Sequence, residues 1–149
     1  MTDIGRYNST QLNDYFQTIV SSVQQNPQPA PLFMTIFLGA NDAVLPPSSA
    51  HVPIDRYEQN LRAYVDVVLD EPAFEGTKII LITPPPINVR AAGPDSLDLG
   101  PASASAACEA ARSERGYRTY ASKRHYAERV MEIAAQCSAR TSRVTGLNL

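Results

Sequence analysis

The chain has 149 residues, of which 44% are hydrophobic and 19% are charged, and its formal net charge at pH 7 is −2. This length corresponds to one domain of roughly 100–200 residues, and the apolar content excludes intrinsic disorder. Nucleic-acid binding by counterion release needs a basic stripe, which a near-neutral chain without a Lys/Arg run does not offer. The longest apolar stretch, Leu32–Ala40, is far shorter than the ~20 residues of a membrane-spanning helix.

Targeting and metal-binding patterns are absent from the sequence. The segment Met1–Gly5 has neither a basic region nor an apolar region of a signal peptide, so we expect a cytoplasmic protein. The two cysteines, Cys108 and Cys137, form neither a metal-ligand spacing nor a disulfide framework. We interpret both as small buried hydrophobic residues rather than nucleophiles, and we expect no metal and no cofactor.

The first predicted elements are a helix and a strand. Between Ser9 and Gln25, apolar side chains recur at the i, i+3, i+4 spacing of an amphipathic helix. These side chains belong to Leu12, Tyr15, Phe16, Ile19, Val20 and Val23. The segment Asn26–Pro31 ends the helix because proline cannot continue one. The apolar run Leu32–Leu38 then predicts a strand that is buried on both faces, as in a parallel sheet.

A second helix and strand follow in the middle of the chain. The helix is predicted over Ile54–Leu69, and the strand over Lys78–Thr83. Pro84–Pro86 ends this strand because proline has no amide hydrogen for the ladder. The apolar face of the helix consists of Tyr57, Leu61, Tyr64, Val65 and Val68.

The last part of the chain repeats this alternation. We predict a short helix at Ala102–Arg112, a longer helix at Tyr117–Cys137 and a strand at Arg143–Leu149. The apolar face of the longer helix consists of Tyr126, Val130, Ile133 and Ala134. Strands that alternate with helices imply right-handed βαβ units, and therefore an α/β domain with a parallel sheet covered by helices.

The tetrapeptide Gly39–Asp42 (GAND) follows the first predicted strand, where open α/β sheets place their ligand crevice. Gly39 allows a sharp turn and a close approach to a ligand. Asn41 carries an amide donor that suits a developing oxyanion, and Asp42 is suited to holding the loop by accepting backbone amides. The same residue types also favour an ordinary turn, so both interpretations stay open on spacing alone.

Five segments of the chain resemble a known family. Ile36–Ala43 (IFLGANDA) resembles the G-x-N-D block of the SGNH, or GDSL-type, hydrolases. His51–Leu61 and Ile80–Pro86 resemble the segments that follow this block in the isoamyl acetate-hydrolysing esterases, one branch of the family. Tyr126–Val130 and Val144–Leu149 are similar to the last helix and strand of that branch. The order of these segments makes the resemblance more specific than the G-x-N-D block alone.

The resemblance implies a flavodoxin-like, three-layer αβα sandwich and a hydrolase of small carboxylic esters that needs no metal or cofactor. In that family a serine attacks the ester, a histidine activates the serine and an aspartate orients the histidine. The oxyanion is held by the serine amide, a glycine amide and an asparagine side chain. Asn41 matches this asparagine, and Gly39 and Asp42 would support its loop.

Other parts of the family pattern have no match. The nucleophile block G-D-S lies well upstream of G-x-N-D in the family, and here 38 residues precede that glycine without such a block. The D-x-x-H block lies downstream of the last strand in the family. The oxyanion glycine belongs to a G-Y-N-T segment, and Gly5–Ser9 (GRYNS) has Arg6 at its position, so Gly5 would serve after a one-residue shift. We therefore expect residues 1–149 to be one partial SGNH-type domain without a nucleophile or general base.

Several other candidate residues have structural explanations. Gly93–Leu97 (GPDSL) contains Asp-Ser in a Pro/Gly loop, which is typical of a turn. We interpret His51 and His125 as surface or structural histidines rather than general bases. Arginines and glutamates interleave over Arg112–Arg129, which indicates a solvated helix face.

Three hypotheses follow for the function. The first is an incomplete ester hydrolase with a small ester as substrate once completed, from a shortened gene model or a decayed paralogue. The second is a non-catalytic binding or interaction module that keeps the sandwich core. The third, a nucleotide-binding βαβ protein, is disfavoured because no Gly-rich phosphate loop follows an internal strand. A parallel sheet without its first strand exposes an apolar edge, so we also expect self-association through this edge.

Overall fold

A computed structural model describes residues 7–26, 29–87 and 118–149. In these ranges three helices alternate with three strands along the chain. In chain order the elements are α1 (Asn13–Gln25), β1 (Phe33–Phe37), α2 (Ile54–Asp70), β2 (Lys78–Ile82), α3 (Tyr120–Ser138) and β3 (Val144–Leu147), with a 3₁₀ turn at Pro72–Phe74 between α2 and β2. The predicted short helix at Ala102–Arg112, the loop Gly93–Leu97 and Cys108 lie outside the described residues.

The three strands form a parallel sheet in the order β1-β2-β3. In the register, Phe33 is opposite Lys78 and Ile79 is opposite Val144. The predicted α/β class with a parallel sheet is confirmed. Most predicted elements are present with slightly different ends, since helix and strand termini depend on capping contacts that periodicity does not show.

The strand order explains why α2 and α3, the helices that connect the strands, share one side of the sheet. Right-handed crossovers that always step in the same direction place their helices on the same face. Accordingly, Ile36, Ile79, Leu81 and Val144 belong to one core together with side chains from all three helices. The predicted apolar faces of α2 and α3 are buried in this core, as expected.

The opposite face of the sheet is exposed, so the prediction that the first strand is buried on both faces was wrong. Phe33 is 61% exposed and Phe37 is 51% exposed, whereas Ile36 between them is 6% exposed. Leu147 on β3 lies on the same exposed face at 47%. The described residues therefore build one helical layer and the sheet of an incomplete αβα sandwich.

Helix α1 begins at Asn13 instead of the predicted Ser9. The Asn8 side chain accepts hydrogen bonds from the amides of Thr10 (3.1 Å) and Gln11 (2.9 Å) and holds the preceding residues in turns. Asparagine commonly competes with helical hydrogen bonding in this way. No helix in the described ranges combines the length and apolar character that crossing a bilayer requires.

Candidate functional site

The loop after β1, Gly39–Val44, is called the GAND loop below. It lies at the carboxyl end of the strand, where parallel sheets build ligand sites. Two backbone hydrogen bonds close it into tight turns, from Ala43 N to the Gly39 carbonyl at 3.0 Å and from Val44 N to the Asn41 carbonyl at 3.1 Å. The loop therefore presents its polar side chains from a rigid support.

Gly39 is required by both the conformation and the packing of this loop. Its φ is +106°, in the region that side-chain-bearing residues rarely adopt. A Cβ at this position would lie 2.6 Å from the Tyr57 hydroxyl oxygen. That hydroxyl donates to the Leu38 carbonyl at 3.0 Å and thereby fixes the end of β1 against α2.

The segment Tyr7–Leu12 packs directly on the GAND loop. Asn41 Nδ2 donates to the Tyr7 carbonyl at 3.0 Å, and the Ser9 amide donates to Asp42 Oδ1 at 2.8 Å. The fold thus brings together residues that are 33 and 34 positions apart in the sequence. Asn41, the predicted oxyanion donor, lies at this junction, whereas Gly5 lies outside the described residues.

Asp42 is the buried anion of the junction. Its side chain is fully buried, and within the described ranges its second oxygen, Oδ2, has no hydrogen-bond partner. Burial raises the pKa of the Asp42 carboxyl group, and the hydrogen bonds from Ser9 oppose this rise. The pKa of Tyr57 is also well above its usual range, mainly because the hydroxyl is buried and secondly because Asp42 is negatively charged.

Ser9 is a structural residue of the junction. It is fully buried, its carbonyl accepts from the Tyr64 hydroxyl at 2.5 Å, and its Oγ accepts from Asn60 Nδ2 at 2.9 Å. These contacts attach the junction to α2. Of the two histidines, His51 contacts the end of the GAND loop, with its Nδ1 2.6 Å from the Val44 carbonyl oxygen. His125 is on the exposed side of α3.

Two basic residues near the start of α3 reach the GAND loop, which the sequence did not indicate. Arg118 Nη1 donates to the Ala40 carbonyl at 2.9 Å, and its Nη2 donates to Asn41 Oδ1 at 3.2 Å. Lys123 Nζ donates to the same Ala40 carbonyl at 2.5 Å. Lys123 is 5% exposed, so the prediction of a solvated helix face was wrong for this residue.

The environment of Lys123 disfavours its charged form. Burial lowers its pKa to about 8, and the positive charge of Arg118 acts in the same direction, while Asp42 partly opposes the shift. The alternation of charges in the sequence did not indicate that Lys123 is buried, because its partner Ala40 is more than 80 positions away.

A cleft of about 610 Å³ adjoins this site at the carboxyl ends of β2 and β3. Its lining includes Pro84, Tyr120, Lys123, Met131, Asn148 and Leu149. Lys123 thus links the cleft to the GAND loop. In the part of the chain that the structure describes, no group of three or more His, Cys, Asp or Glu side chains is arranged to hold a metal ion.

Comparison with known proteins finds partial relatives among ester hydrolases. A GDSL esterase/lipase of Arabidopsis thaliana is 46% identical over 65 residues, which is 42% of this chain and 26% of that protein. The isoamyl acetate-hydrolyzing esterase 1 homolog of Rattus norvegicus is 44% identical over 61 residues (38% of this chain, 23% of that protein). The counterpart from Bos taurus is 42% identical over 60 residues (39% and 24%).

These matches establish a relationship to the SGNH, or GDSL-type, hydrolases, as the sequence motifs suggested. The matched region spans about a quarter of the length of these curated relatives. No family model matches the chain. No solved structure matches it either.

Proposed function

We propose that this chain is the oxyanion-binding part of a GDSL-type hydrolase of small carboxylic esters. In this proposal Asn41 is the side-chain donor for the oxyanion, Asp42 holds the GAND loop, and residues 1–149 form one partial domain. An amide donor beside a developing oxyanion typically contributes a factor of ~10²–10³ in rate.

One observation carries the proposal. By the resemblance, the Tyr-Asn segment and the G-x-N-D segment carry the family's oxyanion glycine and asparagine. Here the two segments meet through the Asn41–Tyr7 and Asp42–Ser9 hydrogen bonds at 3.0 and 2.8 Å. Both segments lie at the carboxyl end of β1. An unrelated turn would not require this specific pairing.

We also propose that this chain is catalytically incomplete, because its sequence contains no match to the family's G-D-S or D-x-x-H block. We expect the purified chain to hydrolyse p-nitrophenyl acetate no faster than buffer. Asn41→Ala is the informative variant, and the exposed Asn13→Ala is its matched control. Turnover that disappears in Asn41→Ala and persists in Asn13→Ala would show that this chain is a complete esterase.

The genomic sequence on both sides of the coding region distinguishes a shortened gene model from a functional short protein. In-frame G-D-S upstream and D-x-x-H downstream would support the ester hydrolase. Transcript ends that coincide with this chain would instead favour the non-catalytic interaction module. This reading needs no folded protein, so it is independent of the activity assay.

A second candidate function, an interaction module that pairs with another copy of itself, is supported by strand β1. In the described sheet β1 pairs with β2 alone, and its sequence, FMTIF, contains no charged residue or proline. Such residues are the usual protection of an edge strand against pairing. Two identical edges are self-complementary around a two-fold axis, and pairing them would bring the exposed Phe33 and Phe37 of the two copies together.

The backbone geometry of β1 allows a selective test. Lys78 N donates to the Leu32 carbonyl at 3.0 Å, so in the alternating ladder the amides of Phe33, Thr35 and Phe37 point away from β2. Thr35→Pro removes one outward amide and leaves the β1–β2 ladder intact, as proline is tolerated on edge strands. Thr35→Val retains that amide and is the matched control.

We expect the wild-type chain and Thr35→Val to sediment as dimers at about 100 µM, in the affinity range of weak self-association. Thr35→Pro should sediment as a monomer with an unchanged circular dichroism spectrum. A wild-type monomer at that concentration, or a Thr35→Pro variant that still dimerises, would contradict the proposal that two copies pair through β1.

A further inference from the structure

Lys123 is a buried cation whose hydrogen-bonding capacity is only partly used. Its ammonium group has three N–H donors, and one of them is directed to the Ala40 carbonyl at 2.5 Å. Among the described residues, no carboxylate lies within ion-pair distance of Lys123 or of Arg118. The charge of Asp42 stabilises the Lys123 ammonium in part, from beyond ion-pair distance. A buried charge that is not fully compensated is costly, and a bound anion would compensate it further.

Arg118 brings a second positive charge to the same place. Its guanidinium group and the Lys123 ammonium group both donate to the Ala40 carbonyl oxygen, at 2.9 and 2.5 Å. The two cations therefore lie close together, and each opposes the charge of the other. The carbonyl oxygen offsets part of this repulsion, and an anion between the two groups would offset more of it.

The adjoining cleft indicates which kind of anion fits. Pro84, Met131 and Leu149 give it apolar walls. Glu128 and Glu132 also line the cleft, and each is paired with an arginine. Among the described lining residues, Lys123 is therefore the unpaired cation, and the cleft has no further positive charge for a second negative charge on the ligand. A singly charged head group with a short apolar tail matches this combination of charge and lining.

We propose that Lys123 and Arg118 form a binding site for the carboxylate of a small monocarboxylic acid whose apolar part occupies the adjoining cleft. The site lies next to Asn41, since Arg118 also donates to Asn41 Oδ1 at 3.2 Å. The identity of the ligand rests on the proposed function: in an ester hydrolase this site would take the acid product or a carboxylate-bearing ester. The binding itself requires no catalysis.

The test is a titration of the whole chain with sodium butyrate, at ionic strength held constant with sodium chloride. We expect saturable chemical-shift changes in the backbone amides of residues 40–43. Lys123→Met and Arg118→Gln should each weaken binding about tenfold, the effect of losing one charged hydrogen bond. Arg118 is exposed, so its variant keeps the test valid even where Lys123→Met disturbs folding.

Arg124→Gln is the control, because it also removes one arginine charge close to Lys123, from a residue of α3 that lines the cleft and is paired with Glu128 at 2.8 Å. We expect its butyrate affinity to equal that of the wild type. The proposed carboxylate site would be overturned if butyrate binding weakened equally in Arg124→Gln and Arg118→Gln, or if the wild type showed no saturable chemical-shift change. Tighter binding of inorganic phosphate than of butyrate would overturn the carboxylate assignment. Absence of esterase activity would leave all these outcomes unchanged.

Discussion

The backbone amide of Ser9 donates to the buried carboxylate of Asp42 at 2.8 Å, although the two residues are 33 positions apart. This hydrogen bond connects the segment before α1 to the GAND loop after β1. It also places the Tyr7 carbonyl within reach of Asn41. The geometry of the candidate site therefore depends on a long-range contact that holds two loops together.

Asp42→Ala should lower the free energy of unfolding by about 2 kcal/mol, because the buried Ser9 amide would lose its acceptor. Urea denaturation followed by circular dichroism measures this change. Asp66→Ala is the matched control, since Asp66 is exposed on α2 and its loss should change stability by less than about 0.5 kcal/mol. Equal effects of the two variants would show that the Ser9–Asp42 bond does not stabilise the fold.

The buried carboxyl group of Asp42 also predicts a pH dependence. Burial raises its pKa in the folded state above that in the unfolded state, so the folded protein binds this proton more readily. The resulting stabilisation is present below the unfolded-state pKa, near pH 4, and is lost as the pH rises through the folded-state pKa. The stability of the wild type relative to Asp42→Asn should therefore be greater at about pH 3 than at about pH 7. An opposite trend in the two denaturation series would contradict this sign.

Gly39→Ala should destabilise the protein by about 3 kcal/mol, from backbone strain of ~1–2 kcal/mol and the displaced Tyr57–Leu38 hydrogen bond. Gly76→Ala separates these two contributions. Gly76 also has a positive φ, +80°, but a Cβ there would contact nothing within 4 Å. We expect about 1 kcal/mol for Gly76→Ala in thermal or urea denaturation, and equal losses would refute the steric contribution at Gly39.

Arg143 binds four backbone carbonyl groups that are distant from it in the sequence. Its guanidinium donates to the carbonyls of Val68 (3.1 Å), Leu69 (3.2 Å), Phe74 (2.7 Å) and Thr77 (3.0 Å). Arg143→Met should therefore cost about 3 kcal/mol of unfolding free energy, because these part-buried acceptors lose a charged donor.

Arg143→Lys provides a further comparison for this network. An ammonium group lacks the planar fork that reaches several carbonyls at once, so we expect it to recover less than half of the loss. The exposed Arg140→Met is the control and should be nearly neutral. Full recovery by lysine would mean that charge alone, and not the fork, stabilises this region.

Much of the fold was predictable from local pattern. The buried face of α2, from Tyr57 to Val68, follows directly from apolar spacing, and the parallel sheet follows from the alternation of strands and helices. The GAND motif was visible in the same way, since Gly, Asn and Asp after a strand indicate a turn. By contrast, the exposure of Phe33 and Phe37 was not predictable, because an apolar run looks the same in an edge strand with one open face and in a central strand.

The sequence by itself determined the secondary structure, the apolar helix faces and the resemblance to ester hydrolases, because each of these is a property of neighbouring residues. The tertiary structure decided which partners the polar side chains have. It places the Asn41 amide on the Tyr7 carbonyl and buries Lys123 against Ala40, which makes a helix residue part of the site. It also decided the layering of this 149-residue chain, since the order of the strands puts α2 and α3 on one face of the sheet and the packing of Phe16 and Val20 holds α1 on the same face.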